Sequence, residues 1–189
     1  MLNIMIVGVG GQGSLLASRI LGSLFEAAGL EVKLSEVHGM AQRGGSVVTY
    51  IRAGESVASP LIPKGECDCI ISFEESEALR YLPWLKKDGT VVVNTQHIQP
   101  MPVLTGAAKY PEDIRGQFAA MNVNVVAFDA LGAAVEAGNA RCANVALLGA
   151  ASKVIGRTPD EWHAAMRKTI KPALLDLNFK AFEIGLKAG

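Results

Sequence analysis

The chain opens with Met1-Leu-Asn-Ile-Met-Ile-Val-Gly-Val-Gly-Gly-Gln-Gly13-Ser14, and this stretch decides the fold. Its apolar run at residues 4–7 predicts a buried strand, and residues 14–28 repeat apolar side chains at the spacing of one helix face. Four glycines lie between the two: Gly8, Gly10, Gly11 and Gly13. Glycine suits such a turn because it adopts positive φ and lets another group approach the backbone. The first N–H groups of the helix attract anions. The opening therefore predicts the strand, glycine turn and helix of a Rossmann-like domain.

Strands and helices alternate along the rest of the chain. Further strands are predicted at residues 31–36, 67–73, 90–94 and 123–128, and helices at 74–82, 111–120, 130–137, 143–155, 158–170 and beyond 172. Residues 46–52 and 56–59 are expected to form a hairpin at a sheet edge, and residues 95–109 a loop. The pattern predicts an α/β fold, a Rossmann-like three-layer α/β/α sandwich with a mostly parallel sheet, an edge hairpin and a helical C-terminal tail.

Length and composition bound the organisation of the chain. Its 189 residues fit a single domain, with an α/β core at 1–135 and a helical tail at 140–189 that packs on the core or on a partner. The net charge is zero, which argues against binding to nucleic acid or to a membrane surface. Three cysteines are too few for a disulfide framework, and no signal peptide is apparent, so we expect a cytoplasmic protein.

The glycine turn has two readings. As a dinucleotide site it requires an acidic residue after the second strand to hold a ribose, and Glu36 stands at about that place. As a structural turn it needs no ligand. The adjacent Gly10 and Gly11 and the amide of Gln12 depart from the usual fingerprint, which disfavours NAD. No lysine follows Gly13, so the turn is not a P-loop.

A second polar segment follows the second predicted strand, Glu36-Val-His-Gly-Met-Ala-Gln-Arg-Gly-Gly-Ser46. Loops after parallel strands gather at one edge of a sheet, so this segment is expected beside the glycine turn. Arg43 suits a phosphate or carboxylate, and His38 a proton transfer near neutral pH. The alternatives are that Arg43 pairs with Glu36, that His38 makes a structural hydrogen bond, and that Gly44 belongs to a turn.

Other candidate residues carry weaker signals. Glu74, Glu75 and Glu77 follow a strand, where they favour a helix N-terminus rather than a pair of catalytic carboxylates. The pair Cys67 and Cys69 lies in a strand and is not expected to bind metal. No catalytic residue and no metal ligand is predicted.

The glycine turn and the segment 36–46 together resemble the gamma-type subunit of 2-oxoacid:ferredoxin oxidoreductases. The His-Gly-Met-Ala-Gln-Arg-Gly-Gly run is most similar to the beta subunit of indolepyruvate:ferredoxin oxidoreductase. The resemblance continues through Ser59-Pro60 and the strand at Asp68 to Arg80, and it fades after about Ala120. It implies oxidative decarboxylation of a 2-oxoacid of the arylpyruvate or indolepyruvate type to an acyl-CoA, with electrons passing to ferredoxin.

The resemblance also implies how the work is divided between subunits. This chain lacks a thiamine motif and a four-cysteine cluster motif, so thiamine diphosphate, Mg and 4Fe-4S clusters are expected on a partner subunit. The isolated chain would be inactive and a possible homodimer. The glycine turn and the Gln42-Arg43 segment would face the partner subunit or an anionic ligand, and coenzyme A is the ligand expected. The implied binding residues are Gly8, Gly10, Gly11, Gln12, Gly13, Ser14, Glu36, His38, Gln42, Arg43 and Gly44. A free-standing NAD(P) oxidoreductase, with His97 as its catalytic group, and a scaffold that binds only protein are the alternatives.

Overall fold

The structure of the protein, a computed structural model, describes residues 1–39 and 45–189. Within these ranges the strands are β1 (Leu2–Val9), β2 (Glu31–His38), β3 (Ser46–Gly54), β4 (Cys67–Ser72), β5 (Leu85–Asn94) and β6 (Asn124–Phe128). The helices are α1 (Ser14–Ala27), α2 (Glu75–Tyr81), α3 (Met101–Leu104), α4 (Ile114–Ala120), α5 (Ala130–Ala137), α6 (Ala143–Ile155), α7 (Pro159–Thr169) and α8 (Leu175–Ala188). No helix in these ranges has the length and apolar character needed to cross a membrane.

The described strands form one sheet in the order β2-β3-β1-β4-β5-β6. Strands β1, β4, β5 and β6 are paired in parallel, whereas β3 is antiparallel to both of its neighbours, β1 and β2. Strand β2 therefore runs in the same direction as β1 although β3 separates them. This confirms the prediction of a mostly parallel sheet, and it brings the ends of β1 and β2 to the same edge.

Two apolar clusters cover the two faces of the sheet. On one face Ile6, Ile71 and Val92 pack with helices α1 and α5 to α8, among them the fully buried Trp162. On the other face the cluster includes Met5 and Ile70 together with residues of α2 and α4. Alternate residues of a strand point to opposite faces, so one buried strand supplies both clusters. The predicted three-layer sandwich is confirmed.

The edge hairpin is formed by other strands than predicted. Strand β3 pairs with β2 along its whole length, from Glu31 opposite Gly54 to His38 opposite Val47. Residues 56–59 are not a strand, because their backbone groups are taken by side chains. Glu31 Oε2 accepts from the N–H of Val57 (2.8 Å), and Arg52 donates to the carbonyl of Ser59 (3.2 Å).

Helix ends follow the predicted signals in the C-terminal half. Asp129 accepts from the N–H of Gly132 (2.8 Å) and starts α5, and Thr158 and Glu161 form the capping box of α7. Gly156 ends α6 with φ of 77°. The predicted loop at 95–109 contains the short helix α3, since the segment after Pro100 closes one hydrogen-bonded turn.

Candidate functional site

The candidate site lies at the edge of the sheet where β1, β4 and β5 end. The segment after β4 connects the pieces of this edge through one carbonyl group. The carbonyl oxygen of Phe73 accepts from Gln12 Nε2 (3.0 Å) and from Asn94 Nδ2 (3.2 Å). Asn94 Oδ1 in turn accepts from the N–H of Ala130 (3.1 Å). The glycine turn, the end of β5 and the start of α5 are thus held in one arrangement.

Gln12 is a structural part of the glycine turn. Besides its bond to Phe73, its Oε1 accepts from the N–H of Val9 (2.7 Å). A Cβ on Gly8 would lie 2.7 Å from that oxygen and 3.0 Å from Phe73 Cβ, so glycine is required there. The polar amide that departs from the dinucleotide fingerprint therefore folds back onto the protein.

The end of the turn is held by the start of α6. Gly13 has φ of 87° and precedes α1, and its carbonyl accepts from Asn144 Nδ2 (3.1 Å). A Cβ on Gly13 would lie 2.5 Å from that nitrogen. Gly11 has φ of 101° and open space around it. One glycine is thus fixed against the protein, and the other leaves its backbone open to an approaching group.

Glu36 is brought beside the start of α1, as the sequence predicts. Its Oε2 accepts from Ser14 Oγ (3.4 Å) and from Thr49 Oγ1 (3.2 Å). Strand β3 separates β1 from β2. The Glu36 carboxylate therefore contacts the start of α1 over β3, and not from a strand adjacent to β1. The carboxylate is exposed and already carries two hydrogen bonds.

The predicted segment beyond β2 is described in part. His38 is exposed and its Nδ1 lies 3.2 Å from the carbonyl oxygen of Gly39. Gly10 donates its N–H to the carbonyl of Gly45 (2.9 Å), which places the beginning of β3 beside the glycine turn. Gln42, Arg43 and Gly44 lie outside the described residues, so their roles stay predictions.

Glu74 is completely buried and holds the segment between β5 and α4. Its Oε2 accepts from Ser76 Oγ (2.5 Å) and from the N–H of Glu77 (3.1 Å), as expected for the start of α2. Its Oε1 accepts from the N–H of Ile98 (3.3 Å) and from the hydroxyl of Tyr110. Burial, and then the bond to Glu74, raise the pKa of Tyr110, so this hydroxyl remains a donor.

Glu75 and Glu77 are also buried and bond to residues of other segments. Glu75 lies 2.6 Å from His97 Nε2 and 2.9 Å from Arg115 Nη2. Glu77 accepts from Ser46 Oγ and pairs with Arg80 (3.1 Å). The sequence predicted these glutamates as helix-start residues, and they do start α2. Their burial and their distant partners were missed, because nothing in the local pattern marks them.

The described residues contain no group of three or more His, Cys, Asp or Glu side chains placed to hold a metal ion. Cys67 and Cys69 are buried free thiols. Burial raises the pKa of Cys67 to about 12 and that of Cys69 further. They belong to no such group, so these two side chains do not fit an iron–sulfur cluster, which four cysteines hold.

A cleft of about 450 Å³ opens beside the glycine turn, on the side away from Glu36. The residues that line it include Gly11, Gly13, Gln96, Leu131 and Arg141, the last just before α6. Sequence reasoning missed Arg141, which stands alone in a segment without a motif.

Comparison with known proteins adds to this geometry. The family model for pyruvate ferredoxin/flavodoxin oxidoreductase matches residues 3–188. The indolepyruvate oxidoreductase subunit IorB of Thermococcus kodakarensis is 43% identical, over 98% of this chain and 95% of that protein.

Solved structures of lower identity share the fold. The gamma subunit of keto/oxoacid ferredoxin oxidoreductase from Geobacter sulfurreducens superposes with a TM-score of 0.74 at 22% identity, covering 100% of this chain and 98% of that one. The 2-oxoglutarate:ferredoxin oxidoreductase of Magnetococcus marinus, with 2-oxoglutarate, coenzyme A and succinyl-CoA bound, gives 0.73 at 19% identity. It covers 99% of this chain and 30% of that one.

Proposed function

This chain belongs to the pyruvate ferredoxin/flavodoxin oxidoreductase family, and we propose that it is the gamma-type subunit of a complex that oxidises indolepyruvate or a related arylpyruvate with ferredoxin. The observation that carries the proposal is the 43% identity to IorB over nearly the whole of both chains.

The side chains of the described residues support the proposal that the cofactors bind to another subunit. The oxidation needs an electron sink and an electron path, which thiamine diphosphate with Mg and 4Fe-4S clusters supply. The described residues offer no metal site, and Cys67 and Cys69 are buried neutral thiols. In this proposal the partner subunit holds these groups, and ferredoxin docks on the assembled complex.

The role left to this chain is to complete the site at the sheet edge. The glycine turn is fixed by Gln12, and the loops around it by the buried glutamates, so its open backbone at Gly11 has a defined position. The N–H groups at the start of a helix suit an anionic ligand, and we assign coenzyme A to this edge, where α1 begins. His38 and Arg43, on the other side of the turn, are proposed to contact the same ligand or the partner.

The NAD(P) alternative finds no support. The relatives described above are subunits of oxoacid oxidoreductases, and Glu36, which a ribose would need, is hydrogen-bonded to Ser14 and Thr49. His97, the catalytic group expected in that alternative, is paired with Glu75 at the start of α2.

Assembly and turnover test the proposal together. The chain is co-expressed with the thiamine-bearing subunit and purified through a tag on one of the two. We expect a complex that reduces ferredoxin with indolepyruvate and CoA. A chain that fails to bind the partner, or a complex inactive with every 2-oxoacid tried, contradicts the proposal. As a narrower test, Arg43→Ala is expected to weaken activity or assembly while the chain still folds.

A further inference from the structure

The two outermost strands of the sheet differ in the features that prevent further pairing. Among the described strands, β2 lies at one end of the sheet and β6 at the other. Strand β2 carries the charged residues Glu31, Lys33 and Glu36. Strand β6 reads Asn-Val-Val-Ala-Phe, without a charge or a proline, and its register against β5 is continuous along its whole length. Charges, prolines and bulges are what usually stop an edge strand from pairing with another chain. Strand β6 has none of these features, so it can accept a further strand.

The outer side of β6 presents backbone groups that are available for such pairing. The carbonyl of Phe128 accepts from the N–H of Thr95 (3.1 Å), which follows β5, so the backbone groups of Phe128 point towards β5. Backbone groups of successive residues alternate between the two sides of a strand. Those of Val126 therefore also point towards β5, whereas those of Val125 and Ala127 point away from it. Within residues 1–39 and 45–189, no backbone group binds Val125 or Ala127 on this outer side.

The side chains of β6 are only partly covered on both faces of the sheet. Val126 is half-buried and packs against the apolar cluster that includes α1 and α5 to α8. Val125 is half-buried and packs against the cluster on the other face, with α2 and α4, and Ala127 is exposed. A strand added beside β6 would therefore bury apolar atoms on both faces, which stabilises strand pairing.

A second copy of β6 has the groups that this edge requires. When two identical strands pair antiparallel with Val126 opposite Val126, Val125 of each copy lies opposite Ala127 of the other. The outward N–H and C=O groups of Val125 and Ala127 then form hydrogen-bonded pairs, in which the two residues exchange both bonds. The strand is uncharged, so no like charges meet across the axis. The arrangement is two-fold symmetric and uses the free edge of both copies, so it closes as a dimer.

We propose that β6 pairs antiparallel with β6 of a second copy of this chain, centred on Val126, so that the two sheets form one continuous sheet across a two-fold axis. The inference does not depend on the proposed function, because it rests on β6 and not on the glycine turn. It assigns a surface and a register to self-association, and it leaves the charged edge strand β2 unpaired.

The test measures association of the full chain by sedimentation equilibrium and compares two proline substitutions. Ala127→Pro removes an N–H on the outer side of β6, where an edge strand tolerates proline. Ala140→Pro is the matched control, since Ala140 is exposed and begins the short 3₁₀ turn before α6. We expect the wild type and Ala140→Pro to dimerise alike. Ala127→Pro should raise the Kd of the dimer by about tenfold or more, with an unchanged circular dichroism spectrum. An equal Kd for the two folded variants overturns the proposal.

Hydrogen exchange of the wild type identifies the surface without any substitution, and it decides the matter if Ala127→Pro does not fold. We expect the amides of Val125 and Ala127 to become protected as the chain concentration rises, while the amide of Val126 is protected throughout. A chain that stays monomeric at every concentration overturns the proposal, as does a dimer in which Val125 and Ala127 exchange freely. Protection of these two amides only after the thiamine-bearing subunit is added overturns the choice of a second copy as the occupant.

Discussion

Two buried regions of this molecule are held together in opposite ways. At the sheet edge, Glu74, Glu75 and Glu77 are buried carboxylates, and each is bonded to residues distant in the sequence. The contact between α6 and α8 depends on glycines, which have no side chain to separate the two helices. A Cβ on Gly149 would lie 2.1 Å from the carbonyl oxygen of Phe182, and one on Gly185 would lie 1.9 Å from that of Ala146. The edge relies on specific hydrogen bonds, and the helix pair relies on close approach, so the two should fail under different substitutions.

Adding one methyl group between α6 and α8 is expected to have the largest effect. Gly185→Ala places a Cβ against a backbone oxygen that cannot move without displacing a helix, and we expect a loss of about 3 kcal/mol in the free energy of unfolding. The control is Gly22→Ala in α1, whose Cβ would meet only the flexible end of Leu34 at 3.3 Å. That change should be nearly neutral, because the tight contact with Leu34 is offset by the preference of a helix for alanine over glycine, which is worth about 1 kcal/mol. Equal losses in urea unfolding would contradict the close-contact account.

Neutralising the most connected carboxylate of the edge is expected to come next. Glu74→Gln keeps the shape of the side chain but replaces one acceptor oxygen with an NH₂ donor. Each carboxylate oxygen of Glu74 accepts from two donors, so two of the four donors would then face another donor. We expect a loss of about 2 kcal/mol and faster hydrogen exchange at the amide of Ile98. Glu112→Gln, at an exposed position, is the matched control. Unchanged exchange at Ile98 would show that Glu74 does not hold this segment.

A smaller effect is expected at the glycine turn. Gln12→Ala leaves the N–H of Val9 without its acceptor, whereas the carbonyl of Phe73 keeps Asn94. The expected loss is about 1 kcal/mol, with a lower affinity of the complex for CoA. Gln117→Ala removes an exposed side-chain bond of similar length, to the carbonyl of Glu112, and should cost less. A larger loss at Gln117 than at Gln12 would be the contrary result.

The smallest effect is a pH dependence far from both regions. Hydrogen bonds from the backbone and then the side chain of Thr158 lower the pKa of Glu161 below 4.5. The carboxyl of Glu161 has its ordinary, higher pKa in the unfolded chain. As the pH falls, the unfolded chain therefore binds a proton at Glu161 before the folded chain does. The stabilisation is present above about pH 4.5 and is lost as the pH falls through the lowered value. We expect the difference in Tm between the wild type and Glu161→Gln to shrink over this range. The exposed Glu136→Gln serves as control, and a constant difference would exclude the capping box as its cause.

The sequence predicted the regular elements well because their signals are local. Glycines, Asp129 and the capping box at Thr158 mark the ends of elements within a few residues. The pairing of β3 was predicted less well, because a β-prone run does not state which neighbour it joins. Residues 56–59 were predicted as the hairpin partner of the strand at 46–52, whereas the partner of β3 is the longer strand β2.

The position of Glu36 beside the glycine turn was predicted for a similar reason. The glycine turn and Glu36 lie together as expected, since the direction of the strands brings them to one edge. The bond between Gln12 and Phe73 joins residues 61 positions apart, and that between Asn144 and Gly13 joins residues 131 apart. No local pattern encodes such pairs. Arg141 illustrates the same limit, because it lines a cleft that distant segments build and no local pattern marks it.

The most direct test of the central claim is the reduction of ferredoxin by the thiamine-bearing subunit, with indolepyruvate and CoA, in the presence and absence of this chain. The account predicts little turnover by the partner alone and full turnover when this chain is added in equal amount. Turnover that is the same with and without this chain would contradict its place as a working subunit of the complex.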